Sequence, residues 1–192
     1  MTAPFHIDRS SNPKREAVEQ WLFGLDRLSD ATRDKVVTAW TSARASSPYE
    51  RLEDMPFGPG CDYRLMEHVN EVTRIGIDLA GRAAADWQTT SEPETLLPIL
   101  MLHDVDKPLM YVREDGKIHH SALYHQLSHG VAGAMLLREL DFPLEVVSTV
   151  ALHAGNAPYH GRTFEAYVLH YADYFSADHA MIATGNKPFY QK

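Results

Sequence analysis

The run Leu96-Leu97-Pro98-Ile99-Leu100-Met101-Leu102 is apolar on every face and ends abruptly in His103-Asp104. A helix without a polar face has to lie inside its protein. The run therefore predicts a central helix from about Glu92 to Asp104, with other helices packed around it. Its end then carries an imidazole and a carboxylate into the interior, where an unpartnered polar group costs roughly 2–7 kcal/mol. Either hydrogen bonds satisfy the pair or a metal does. His68, His129 and His153, with Asp173, favour the metal.

The periodicity elsewhere is helical almost throughout, so the fold class expected is all-α. Asn12-Pro13 starts a first helix through Val18, Trp21 and Leu22, because asparagine caps well and proline suits the first turn. Ser29 caps a second helix carrying Val36, Val37 and Trp40. A loop with Pro56, Gly58, Pro59 and Gly60 follows. It divides the chain into an N-terminal helical extension, residues 1–60, packed on a helical core domain, residues 61–192. In the core, Asp62 is expected to cap a helix with the face Leu65, Val69, Val72, Gly76 and Leu79. Arg113 to Lys117 reads as a turn or short hairpin. Further helices are expected over roughly Ser121–Leu140, Pro143–His153 and Thr163–Ala177, with an irregular tail after Gly185.

Each ligand candidate has a definite place on these helices. His68 borders the inward stripe of Leu65 and Val72. His153 follows Val146 and Val150 on an inward face, and Asp173 follows Leu169. His129 stands beside Gly130 and Gly133, which let helices approach closely. Helical bundles build metal sites from such inward groups on facing helices. The set is nitrogen and carboxylate, and the chain has one cysteine, Cys61, which excludes a cysteine-rich zinc site. One or two divalent ions fit it, iron or manganese first, with zinc, nickel or magnesium as alternatives. Asp104 can bridge two ions, and Lys107 falls one turn beyond His103, suited to neutralising phosphate charge.

The order His68, His103-Asp104, His129, His153, Asp173 resembles the HD-domain superfamily of metal-dependent phosphohydrolases, over roughly Asp62 to Asp178. The resemblance implies a helical bundle in which His68, His103, Asp104 and Asp173 hold one metal. It adds His129 and His153 for a second metal, with Asp104 as the bridge. His103-Asp104-Val105-Asp106-Lys107 is similar to the H-D-x-x-K form of phosphodiesterase-type members. The segment after His153 lacks the Gly-Tyr-Pro signature of the cyclic-dinucleotide branch, so membership of that branch is not expected. Lys107 stands where the diiron oxygenases usually carry histidine.

The function expected is a metal-dependent phosphohydrolase acting on a small phosphate ester, a nucleotide or cyclic nucleotide among them, through a metal-activated hydroxide. Asp104 and Lys107 are its catalytic residues. The competing readings are an HD-type diiron oxygenase and a non-enzymatic metabolite-binding module. The 192 residues carry a formal charge of -8 and no long basic run, which disfavours non-specific nucleic-acid binding. No apolar stretch approaches the ~20 residues of a membrane span. The first residues lack the basic and apolar regions of a signal peptide, so a cytoplasmic protein is expected. Trp21 and Trp40 are core or dimer contacts, which keeps a homodimer open. His125 is a candidate for orienting a ligand, and His119, His120 and His160 for lining a substrate mouth. Tyr167, Tyr171 and Tyr174 are expected to pack.

Overall fold

The apolar run forms helix α4, Pro93–Leu102, and all seven residues from Leu96 to Leu102 are buried. Glu92 stands at its N-cap and Pro93 in its first turn, where a missing N–H costs nothing. The computed structural model describes residues 4–10, 12–154 and 161–191. Around α4 it places α2, Asp30–Ala45, then α3, Leu65–Trp87, then α7, Leu144–Leu152, and α8, Phe164–Ala183. Helix α1, Asn12–Trp21, packs on α2. A one-turn α5, Lys107–Met110, and a short α6, Val131–Glu139, complete the α-helices of the described residues.

Ser29 caps α2 by accepting from the Thr32 amide, and its own N–H and hydroxyl both donate to the Glu94 carboxylate. That contact ties the start of α2 to the first turn of α4. Fully buried Trp40 donates its indole N–H to the Met101 carbonyl at 2.9 Å, which satisfies an orphan acceptor near the end of α4. Gly76 lets α3 sit against α4, since a Cβ there would lie 2.5 Å from Leu100 Cδ1. Val18, Leu22, Val36 and Trp40 share one continuous core with Leu65, Ile99, Val146 and Leu169. Among the described residues no helix is long and apolar enough to cross a membrane.

The helical class holds, and several boundaries move. The Pro56–Gly60 region is not a plain loop. It forms an antiparallel hairpin of β1, Pro56–Gly58, and β2, Cys61–Arg64, turning at Gly60 with φ +75°. Asp62 is thus a strand residue paired to Arg113 at 2.7 Å, and Arg64 stands at the N-cap of α3. A second hairpin, β3 Tyr111–Glu114 with β4 Lys117–His120, forms where a turn or short hairpin is expected. The helix expected over Ser121–Leu140 is largely absent. Turns and a bend occupy most of residues 122–130, and α6 begins only at Val131. Gly130 has φ +89°, a left-handed conformation that no α-helix continues through. Helix α8 runs six residues past its expected end at Ala177, because Ala180 still has a core position to fill.

Candidate metal centre

Two of the predicted ligands come from helix interiors and four from helix ends or turns. His68 lies on α3 and Asp173 on α8. His103 is the C-cap of α4, and Asp104 follows in the turn leading to α5. His153 is the C-cap of α7. His129 lies in the turn before α6, so the expectation of a helical position fails there. Despite these separate origins all six converge.

The carboxylate of Asp104 is the common point. Its Oδ2 lies 3.2 Å from His68 Nε2 and 3.3 Å from His103 Nε2. Its Oδ1 lies 2.9 Å from His129 Nε2 and 3.6 Å from His153 Nε2. Asp173 Oδ1 approaches the first pair, at 3.2 Å from His68 Nε2 and 3.9 Å from His103 Nε2. Two triads therefore share Asp104: His68, His103 and Asp104 form one, and Asp104, His129 and His153 the other. In each, one ligand atom per residue lies within 4.8 Å of the others.

The far nitrogen of every imidazole is held by a partner. His103 Nδ1 donates to the Leu100 carbonyl at 2.9 Å, and His153 Nδ1 to the Val150 carbonyl at 2.7 Å. Both use the same local device, a helix-terminal histidine folding back on the carbonyl three residues earlier. His129 Nδ1 donates to Asp106 Oδ1 at 2.8 Å. His68 Nδ1 donates to Ser176 Oγ at 3.0 Å, and that hydroxyl donates onward to Glu71 Oε2 at 2.7 Å. A carbonyl or carboxylate only accepts, so Nδ1 carries the hydrogen and Nε2 faces inward with a bare lone pair.

Lone pairs aimed at carboxylates repel unless a cation lies among them. Asp104 Oδ2 is buried with no hydrogen-bond partner, although Lys107 Nζ stands 2.7 Å away as an ion pair. In the metal-free chain, protons must supply the missing charge. Burial disfavours the His129 cation, yet Asp106 and Asp104 outweigh it and push its pKa up to about 10. Burial likewise opposes a charged His68, and Asp104 and Asp173 raise it nonetheless. Asp104 is held well below the ordinary carboxylate range, because Lys107 and His103 overcome the cost of burial. Asp173 is lowered against its burial by the His68 hydrogen bond and His103. Such a donor set of nitrogen and oxygen, already oriented and short of positive charge, fits one or two divalent cations.

A cavity of about 260 Å³ opens on this cluster. Asp104, Lys107, His129, His153 and Asp173 form its polar end, and Phe57, Tyr111, Tyr174 and Phe189 line it elsewhere. Lys107 is 6% exposed, and its ammonium also lies 3.8 Å from the centroid of Phe57. Of the candidate mouth residues, His119 borders a different cavity and His120 stacks on Tyr124 at 3.8 Å. His160 lies outside the described residues, as does the rest of 155–160, where the comparison with the Gly-Tyr-Pro signature falls. His125 is exposed beside Tyr124 and does not orient His129; Asp106 does.

Residues 65–178 match the family model of the HD domain. This chain belongs to the HD domain family. The matched segment contains all six predicted ligands and Lys107, together with Asp106, Glu71 and Ser176. Over 111 residues the chain is 34% identical to a dihydroneopterin 2′,3′-cyclic phosphate phosphodiesterase of Methanocaldococcus jannaschii. The alignment covers 57% of this chain and 44% of that protein, so the chain spans less than half the length of that relative. No solved structure matches.

Sequence reasoning passed over Asp106, Glu71, Ser176, Phe57 and Phe189. Asp106 carried a signal, a third polar residue in a buried stretch beside His103-Asp104. The others carried none, since their partners lie far along the chain.

Proposed function

We propose that this HD domain is a metal-dependent phosphohydrolase that cleaves a small phosphate diester. His68, His103, Asp104 and Asp173 would hold one divalent ion. His129 and His153 would hold a second, with Asp104 between the two. The observation that supports this reading is the sharing of one buried carboxylate by two histidine triads, with a lysine ammonium facing the same cavity. Divalent ions bound there supply an activated water and polarise the phosphoryl oxygens.

The chain's own residues do the rest. Asp104 keeps both triads in register, and its ion pair fixes Lys107 where negative charge gathers on a phosphoryl group. The Asp106 carboxylate, itself held low as His129 outweighs its burial, keeps His129 turned inward. Phe57 and buried Tyr111 limit water around the lysine, which strengthens its field at the phosphate. The relative's name makes a 2′,3′-cyclic phosphate the first substrate class to try, and the nitrogen–carboxylate set favours manganese or iron.

The test is hydrolysis of a panel of cyclic phosphodiesters, linear diesters and monoesters by purified protein with added manganese or iron. Cleavage of a cyclic diester that requires metal and disappears in Asp104→Ala is expected. A protein that retains metal and cleaves nothing in the panel sinks the reading. Metal-dependent oxygen consumption with substrate would instead move the site to the oxygenases.

A further inference from the structure

Every charged or imidazole group of the centre lies within residues 65–178, but part of the cavity wall does not. Phe57, Gly58 and Pro59 come from the β1–β2 hairpin before the matched segment, and Phe189 from a single 3-10 turn, Phe189–Gln191, after it. The two flanking pieces are bonded to each other. Asn186 Nδ2 donates to the Gly60 carbonyl at 2.8 Å, and Cys61 Sγ lies 3.4 Å from Thr184 Oγ1. Each is also anchored to the HD domain. The Phe57 ring packs at 4.6 Å on His68, and the Phe189 ring at 5.6 Å on Tyr174. The Phe189 amide donates to the Asp178 carboxylate.

We propose that these two flanking segments form a collar that selects the organic part of the phosphate ester, and that it takes a flat, uncharged ring. The inference rests on the phosphohydrolase reading. Its reasons are chemical. The charged lining groups, Asp104, Lys107, His129 and Asp173, are all at the phosphate end, so a charged organic group finds no partner along the remaining described wall. That wall is aromatic, with Phe189 and Tyr174 in edge contact, and aromatic faces hold planar rings without demanding a hydrogen-bond pattern. The cavity's size suits one ring system plus a phosphate and little more. Phe57 packs on Lys107 and His68 at the phosphate end, whereas Phe189 packs on Tyr174 away from it, so Phe189 is the residue placed to discriminate among organic groups. Asn186 acts as a positioning residue, because it joins the collar's halves without lining the cavity.

The experiment compares adenosine 2′,3′-cyclic phosphate with glycerol 1,2-cyclic phosphate as substrates of the full chain loaded with manganese. Phe189→Ala should lower the ratio of kcat/KM for the ring-bearing ester over the ring-free one about tenfold, chiefly through KM. Phe189→Leu, which keeps apolar bulk, should lower the ratio nearly as far. Asn186→Ala should shift it in the same direction. An unchanged ratio in Phe189→Ala overturns the collar, whether both esters slow alike or neither does. If the wild type cleaves neither ester, the wider panel of diesters and monoesters decides the phosphohydrolase reading separately. Calorimetry with adenosine 2′-phosphate and glycerol phosphate then decides the collar without turnover. A wild-type preference for the ring-bearing ligand that Phe189→Ala removes supports it, and equal affinities refute it.

Discussion

Asp106 holds three donors with one carboxylate. Its Oδ1 accepts from His129 Nδ1 at 2.8 Å, and its Oδ2 from the amides of Gly130 at 2.7 Å and Gly133 at 3.2 Å. The side chain thus fixes the His129 ring and the start of α6 together. Asparagine offers one acceptor in place of two and brings an N–H toward groups that are themselves donors. Asp106→Asn should therefore weaken metal binding about 10–100-fold at the triad containing His129 and His153. The other triad should keep its ion. Metal stoichiometry by mass spectrometry, at limiting and at excess manganese, checks this, and loss of both ions together would contradict the division into two triads. Ser176 is the counterpart on the other side, passing the His68 hydrogen bond to Glu71, which His179 Nδ1 also contacts at 2.9 Å. Ser176→Ala should cost the first ion by a similar factor, and Ser176→Thr, which retains the hydroxyl, should restore it. Failure of threonine to rescue would make the serine a packing residue. His103-Asp104 was legible in the sequence because an apolar run exposes what interrupts it. Asp106 was less so, since its meaning depends on amides 24 and 27 residues away.

At the scale of elements, α6 and α7 meet through Gly130. With φ +89° its backbone suits glycine, and a Cβ would stand 2.6 Å from the Val150 carbonyl oxygen. That same carbonyl accepts the Nδ1 hydrogen of His153 at 2.7 Å. A methyl group at residue 130 therefore presses on the acceptor that orients a ligand. Gly130→Ala should destabilise the fold by about 2–3 kcal/mol, from the strained φ and the backbone clash. At about 2–4 °C per kcal/mol for a chain of this size, the melting temperature falls by roughly 4–12 °C. Scanning calorimetry reads the shift, and a wild-type melting curve would show that α6 has room to move. The long helices were legible from their apolar stripes. The start of α6 was not, because residues 121–130 carry apolar and histidine side chains at spacings a helix tolerates. What breaks the helix is the tertiary grip of Asp106 on Gly130. The β1–β2 hairpin was hidden for a different reason: two strands of three and four residues are too short to display alternation.

For the whole molecule, a single core holds the site in place. Helices α3, α4, α7 and α8 each deliver one or more ligands, and the same helices bury Val69, Leu100, Val150 and Leu169 in one continuous cluster. Such a scaffold pre-arranges acceptors that repel one another, with Asp104 Oδ2 left without a hydrogen bond. Folding therefore works against that repulsion until a cation relieves it, and metal binding and global stability must be linked. An ion at 100 times its dissociation constant adds about 2.7 kcal/mol if the unfolded chain does not bind it. For this chain length that corresponds to a melting temperature roughly 5–11 °C higher in manganese than in excess chelator. Because the ligands sit on or directly beside helices that share one core, the transition should shift as one step and not split. Asp104→Asn removes the charge both triads share, so its melting temperature should respond little to manganese or chelator. Melting curves of wild type and variant, with and without manganese, test both statements. A wild type indifferent to metal would mean that the centre's geometry is satisfied by hydrogen bonds and not by a cation, and a variant that still responds as strongly would mean that Asp104 is not the ligand both triads share.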